Sequence, residues 1–129
     1  MNSYKEWIKR AKSSYHYSIA TVDEYVGYED LCYQAQQAAE KVIKALMIYH
    51  GIEPEHTHNI RKLLDELEKH IEVDEGVKDA VDLTKYAVVT RYPGDYDEVS
   101  EIMYIKAINT AKICIDWVES KIAEKEKHS

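Results

Sequence analysis

Residues 31–51 read LCYQAQQAAEKVIKALMIYHG, and this stretch decides the fold class. Its apolar residues recur every three or four positions, at Leu31, Ala35, Ala38, Val42, Ala45 and Tyr49. Such spacing lines them up along one side of an α-helix, and the small alanines suit close packing against an antiparallel neighbour. Gly51 then supplies the left-handed residue that commonly ends a helix. The stretch therefore predicts an amphipathic helix that belongs to a helical bundle.

The same periodicity extends to both sides of this helix. A capping box of Ser3 and Glu6 opens a first helix, whose apolar stripe runs to Val26. Thr57 can cap a third helix, and after an acidic turn a shorter helix runs to about Thr90. No stretch alternates with period two, as a half-buried strand would. We expect residues 1–129 to form one all-α domain, an up-and-down antiparallel bundle of about five helices.

The last helix is predicted to be the longest. Asp95 and Glu98 resemble a second capping box, and the apolar residues that follow them continue for about 25 residues. Met103, Tyr104 and Ile105 are consecutive, so a single apolar stripe cannot bury all three. The charged residues 124–128 are expected to fray.

Composition excludes several classes of protein. The chain has 24 acidic and 17 basic residues, a net charge of −7, which disfavours binding to duplex DNA. Its apolar runs are far shorter than the roughly 20 residues that span a bilayer, and residues 1–6 lack an apolar signal core. Cys32 and Cys114 fit reduced thiols packed within helices. We therefore expect a cytoplasmic protein that does not bind membranes.

The polar side of the second helix allows two interpretations. Gln34, Gln37, Lys41 and Lys44 lie away from the apolar stripe, and Gln36 and Glu40 lie on its border beside Ile43. A hydrated helix face explains this pattern, with Glu40 and Lys44 as an ordinary pair four residues apart. The alternative is a surface for a partner or a second subunit.

The histidines do not indicate a metal centre. His50, His56 and His58 cluster around the loop after the second helix, and the pair at 56 and 58 could hold zinc or nickel. The segment contains no cysteine, however, so solvated or capping histidines are favoured. No glycine-rich phosphate loop, zinc-protease helix or paired-cysteine spacing occurs in the chain. We therefore expect no metal, no cofactor and no conventional hydrolase site.

The segment TRYPGDYD at residues 90–97 is the sharpest candidate for a site. Pro93 and Gly94 break the helix beside Arg91 and Tyr92. A guanidinium there can bind a phosphate through two hydrogen bonds while a base stacks on the tyrosine ring. Alternatively, Asp95 or Asp97 could hold Arg91 as a structural clamp across the turn.

Three motifs, in this order, resemble those of HEPN-domain proteins. They are AQQAAEK at 35–41, THNIRKLL at 57–64 and TRYP at 90–93. The resemblance covers nearly the whole chain and implies a four- or five-helix bundle that is commonly a homodimer. It also implies a minimal nucleotidyltransferase as partner in a toxin–antitoxin pair. Many members are metal-independent endoribonucleases, in which an arginine is followed, after four to six residues, by a histidine.

The chain departs from that nuclease signature. Arg91 matches the arginine, but Tyr96, Asp97 and Glu98 stand where the histidine should fall. General acid–base catalysis contributes a factor of about 10²–10⁴ in rate, and it loses its usual imidazole here. The sequence therefore predicts a nucleotide- or RNA-associated binding protein, with Arg91, Tyr92 and Asp95 facing the ligand.

Two other hypotheses stay open. The protein could be an endoribonuclease that uses Arg91 with Tyr96 as a substitute acid–base, or a purely structural or regulatory subunit. For the homodimer, we expect an interface formed by residues 90–96 together with part of the last helix.

Overall fold

The computed structural model describes residues 3–87 and 98–128. Its helices are α1 (Tyr4–Ser18), α2 (Tyr28–Tyr49), α3 (Ile60–Glu68), α4 (Glu75–Lys78) with a 3₁₀ helix directly after it (Asp79–Ala87), and α5 (Glu101–Lys127). All regular secondary structure in these ranges is helical, which confirms the predicted all-α bundle. None of the described helices is long and apolar enough to cross a bilayer.

Helix α2 lies at the centre of the bundle. It is antiparallel to α1, because the rings of Tyr4 and Tyr49 meet edge to face at 4.9 Å between centroids. It is parallel to α5: the Tyr28 hydroxyl donates to a Glu101 carboxylate oxygen at 3.0 Å at one end. At the other end the Lys125 ammonium lies 5.9 Å from the Tyr49 ring centroid. With neighbours on several sides, α2 buries residues around most of its circumference.

The chain folds back along α2 before α3 begins. Gly51, at a φ of 76°, ends the helix as predicted, and the backbone N–H of Ile52 donates to the Met47 carbonyl at 2.9 Å. His58 then lies 2.8 Å from Glu40, which precedes the end of α2 by roughly 15 Å along the helix axis. Residues 51–58, which we call the return loop, therefore cover the middle of α2.

The first helix is shorter than predicted. It ends at Ser18 instead of Val26. The Asp23 carboxylate accepts from the backbone N–H groups of Tyr25 and Val26, at 2.7 and 2.9 Å, in a local turn. Such a turn competes with helix formation, because it satisfies backbone donors that a helix would otherwise use.

The cap of α3 also differs from the prediction. The N-cap is Asn59, whose side chain accepts from the backbone N–H of Lys62 at 3.2 Å. Thr57 instead accepts from the backbone N–H of Asn59 at 3.0 Å, inside the return loop. At α1 the Ser3 hydroxyl accepts from the backbone N–H of Glu6 at 3.3 Å, as the capping box requires.

The last helix is continuous over its predicted apolar stripe. Ser100 caps it, accepting from the backbone N–H of Met103 at 3.2 Å, so the helix does not begin at the predicted capping box of Asp95 and Glu98. The helix runs to Lys127, so the charged tail is helical where fraying was expected. Asp95, the first residue of the predicted second capping box, lies outside the described residues, as does the predicted continuation of the preceding helix to Thr90.

Candidate functional site

The residues expected to face the ligand lie outside the part of the chain that the structure describes. These are Arg91, Tyr92 and Asp95, together with Tyr96 as the substitute acid–base and Asp97 as the alternative clamp. Their roles stay predictions.

The described residues form a different polar cluster, on α2. Gln36, Glu40 and Lys44 succeed one another at intervals of four, and all three are buried. The expectation of a hydrated face or of an exposed partner surface is therefore wrong for these three positions. The return loop covers them, so they are shielded by a segment of the same chain.

Glu40 is the centre of this cluster. Its Oε1 atom accepts from Gln36 Nε2 at 3.0 Å and is joined to His58 Nδ1 at 2.8 Å. Its Oε2 atom accepts from Lys44 Nζ at 2.9 Å. Burial by itself would raise the pKa of Glu40, but the hydrogen bonds from Gln36, Lys44 and His58 outweigh it and lower that pKa. The carboxylate is therefore held in its ionised form.

His58 has one ring nitrogen engaged and an exposed ring. An ionised carboxylate can only accept hydrogen bonds, so the Nδ1 atom beside Glu40 carries a proton. In the neutral imidazole, Nε2 is then the acceptor. The His58 side chain is 65% exposed although its partner Glu40 is 5% exposed. The pair thus connects a buried carboxylate to an accessible imidazole.

A tryptophan lies against the other end of the cluster. The Lys44 ammonium is 5.8 Å from the centroid of the Trp7 ring, within the range of a cation–π contact. Next to it, Lys41 Nζ donates to the Ser14 hydroxyl at 3.0 Å. Burial is the main cause that lowers the pKa of Lys41. Side chains of α1 and α2 thus meet through polar as well as apolar contacts.

An open cleft of about 780 Å³ lies beside the cluster. Its walls come from α1, the end of α2 and the return loop: Trp7, Lys44, Ile48, Gly51, Ile52, Glu53, Pro54, Glu55, His56, Thr57 and His58. The volume falls within the range of roughly 300–1,000 Å³ that is usual for small-molecule sites. Apolar walls with a few polar groups are also typical of such sites.

The described histidines and cysteines were next compared with the geometry of metal sites. Among residues 3–87 and 98–128, no three His, Cys, Asp or Glu side chains converge on a position that could hold a metal ion. Cys32 and Cys114 are free, buried thiols, as predicted. Burial raises the pKa of Cys32 to about 11 and that of Cys114 to about 12, so neither is a thiolate at neutral pH.

The family model of the HEPN domain matches residues 4–121 of this chain. The chain belongs to the HEPN family. This confirms the resemblance that the three motifs indicated. No curated protein matches the sequence.

Two solved structures share the fold of this HEPN chain. TT1696 from Thermus thermophilus superimposes with a TM-score of 0.79 at 27% identity, covering 94% of this chain and 99% of TT1696. ST0689, an archaeal HEPN homologue, gives a TM-score of 0.74 at 26% identity, covering 95% of this chain and 99% of ST0689. The chain therefore spans nearly the full length of both.

Two of the HEPN motifs meet at the buried cluster. Gln36 and Glu40 come from the motif at 35–41, and His58 comes from the motif at 57–64. Sequence reasoning missed this contact, since it treated Glu40 as solvated and His58 as a loop residue. The sequence held one signal, because the apolar residue Ile43 lies beside Glu40 on this side of the helix. In the structure Ile43 is completely buried. An apolar residue on that side indicates that something covers it.

Helix α5 presents an apolar strip to solvent. Ile102 is 80% exposed, and Ile105 and Ile113 are also exposed. Met103 and Tyr104 are partly buried against the core, as expected for neighbours that a single stripe cannot bury together. We call Ile102, Ile105 and Ile113 the α5 strip.

Proposed function

We propose that this HEPN protein binds a nucleotide or RNA and is not a competent ribonuclease. One observation carries the proposal: the family match extends over residues 4–121, yet the sequence has no histidine between His70 and His128. The imidazole that would follow Arg91 is therefore missing, whereas the arginine that can hold a phosphate is present.

Arg91, Tyr92 and Asp95 form the proposed phosphate-facing corner. The partner in the cell is a minimal nucleotidyltransferase, in a pair of the toxin–antitoxin kind, and the proposed compartment is the cytoplasm. A second copy of the chain completes the assembly. The exposed α5 strip supports association, because the burial of three exposed isoleucines on one helix face would remove apolar surface from water, which is favourable.

The test is binding and cleavage by the purified protein. Nucleotides and short RNAs are titrated by calorimetry, and tRNA and mRNA are incubated to look for fragments. We expect binding without cleavage, and we expect Arg91→Ala to weaken binding by at least tenfold while the melting temperature stays unchanged. Arg61→Ala, which removes an exposed arginine of α3, is the matched control and should bind normally.

Two results would contradict the proposal. Cleavage of RNA that disappears in Arg91→Ala would favour the endoribonuclease with Tyr96 as acid–base. A large fall in melting temperature with unchanged affinity would favour the structural clamp with Asp95 or Asp97. Arg91→Lys keeps the charge and loses the planar fork, so it separates a two-bond phosphate contact from a general charge effect.

A further inference from the structure

The cleft beside the return loop has no role in the function proposed above. Thr57 and His58 of the HEPN motif at 57–64 line it, and His58 is bonded to Glu40 of the motif at 35–41. The residues that line the cleft restrict the charge, the hydrogen-bonding groups and the shape of a ligand that could bind there.

The charge of the lining disfavours a phosphate. Lys44 is the lysine of the cleft, and its ammonium is already paired with the Glu40 carboxylate at 2.9 Å. Glu53 and Glu55 also line the cleft, and both are exposed. A dianionic group would therefore meet two carboxylates and a lysine whose charge is compensated. A neutral ligand, or a neutral part of a larger one, fits better.

The hydrogen-bonding groups select a ligand that carries N–H or O–H donors. In the neutral imidazole, Glu40 fixes the proton of His58 on Nδ1, and the lone pair of Nε2 is left for a donor on the ligand. Glu53 and Glu55 add further acceptors on the same lining. The fixed tautomer makes His58 a directional acceptor, because its proton is held by Glu40 before the ligand arrives.

The apolar part of the lining suits a flat ring. The Trp7 indole lies at one side, and Ile48, Ile52 and Pro54 supply the remaining apolar surface. Aromatic side chains stack on planar heterocycles, as they do on the bases of single-stranded nucleic acids. The volume of about 780 Å³ has room for one such ring with its sugar.

We propose that this cleft binds a nucleobase, as a planar heterocycle whose N–H groups donate to His58 Nε2. The proposal deepens the nucleotide- or RNA-binding function given above and rests on it, since it names the part of the ligand that the cleft residues recognise. The base is held by the cleft and the phosphate is left outside it.

Calorimetry with four nucleosides, inorganic phosphate and ribose 5-phosphate tests the chemistry of the ligand. We expect at least one nucleoside to bind, and neither phosphate compound to compete with it for the cleft. Phosphate binding that displaces the nucleoside would overturn the proposal, as would the failure of all four nucleosides at millimolar concentration.

Three variants test the residues. His58→Ala should weaken nucleoside binding about tenfold, the loss of roughly one hydrogen bond, and Trp7→Leu should weaken it further. His70→Ala, an exposed histidine that does not line the cleft, should bind normally. Unchanged affinity in His58→Ala would show the assignment to be wrong. Circular dichroism of each variant establishes that the fold is retained.

Arg91→Ala separates this proposal from the previous one. If both proposals are right, Arg91→Ala weakens the binding of nucleotides and leaves the binding of nucleosides unchanged, whereas His58→Ala weakens the binding of nucleotides and of nucleosides. Nucleotide binding that depends on Arg91 alone would overturn the cleft proposal and leave the proposed function standing. Nucleoside binding that depends on His58, with no effect of Arg91 on nucleotides, would do the reverse.

Discussion

Glu40 shows how one side chain can connect two distant parts of the sequence. Its carboxylate accepts from Gln36 and Lys44 on its own helix and from His58 in the return loop. A buried charge is tolerated only when it is paired and hydrogen-bonded, and here three donors supply that compensation. Removal of the carboxylate would leave the Lys44 ammonium buried without its counter-charge.

We expect Glu40→Gln to lower the free energy of unfolding by about 3 kcal/mol, because it breaks a buried ion pair and leaves Lys44 uncompensated. Urea denaturation followed by circular dichroism measures the change. Asp116→Asn is the matched control, since it breaks an exposed pair with Lys112 at the same spacing of four residues. It should leave the urea midpoint unchanged. Equal effects of the two substitutions would refute the structural role of Glu40.

The stability that Glu40 contributes should depend on pH. Its pKa is lowered in the folded protein, so the unfolded chain takes up a proton first as the pH falls. The contribution is complete above the unfolded pKa, at about 4.3, and is lost as the pH drops through the folded pKa. Urea midpoints of wild type and Glu40→Gln, measured between neutral pH and acid, should therefore converge as the pH falls through the lowered pKa of Glu40 in the folded protein. A constant difference throughout would contradict the assignment.

At the scale of elements, the return loop decides which face of α2 is buried. It starts from Gly51, whose φ of 76° redirects the chain, and it ends where Thr57 and Asn59 lead into α3. The Gln36 amide also donates to the His58 carbonyl at 3.4 Å, so the end of the loop is tied to α2. The position of His58 therefore depends on the turn at Gly51 as well as on Glu40.

We expect Gly51→Ala to destabilise the fold by about 1 kcal/mol, because a residue with a Cβ is strained at a positive φ. A new Cβ there would meet nothing within 4 Å, so the backbone strain acts alone. Gly76→Ala is the control: its Cβ would lie 3.6 Å from Ile113, an ordinary van der Waals contact between α4 and α5. That variant should be neutral or slightly stabilising. Thermal unfolding of both variants tests the difference, and a harmless Gly51→Ala would contradict it.

At the scale of the whole molecule, the α5 strip is the apolar surface that the fold leaves open on its last helix. The opposite face of α5 packs into the core, where Ala111, Cys114 and Val118 are completely buried. Exposed isoleucines on one face of a long helix favour association with a second copy, which HEPN domains often form. The strip lies on the last helix, part of which the sequence predicted for the interface.

We expect the protein to sediment as a dimer at micromolar concentration and Ile102→Lys to shift it towards a monomer of 15.0 kDa. Lysine places a charge where an apolar contact is proposed, and Ile102 is too exposed to matter for folding. Ser13→Lys, on the exposed face of α1, adds the same charge elsewhere and should leave the dimer intact. A wild-type monomer in sedimentation velocity would count against the homodimer.

Local patterns sufficed for much of the architecture. The apolar period of α2, its end at Gly51 and the cap at Ser3 each depend on residues a few positions apart, and the structure confirms all three. The prediction went wrong where a local alternative was overlooked, as in the extension of α1 to Val26. There the Asp23 side chain satisfies backbone donors in a turn.

The sequence by itself determined the helical class, the family and the missing histidine after Arg91, because these are properties of periodicity and of residue identity. The tertiary structure alone decided that Gln36, Glu40 and Lys44 are buried. A helix face is hydrated or covered according to what packs on it, and the covering segment, which carries His58, comes from another part of the chain. Helical spacing cannot report that contact, because it relates only residues within one helix.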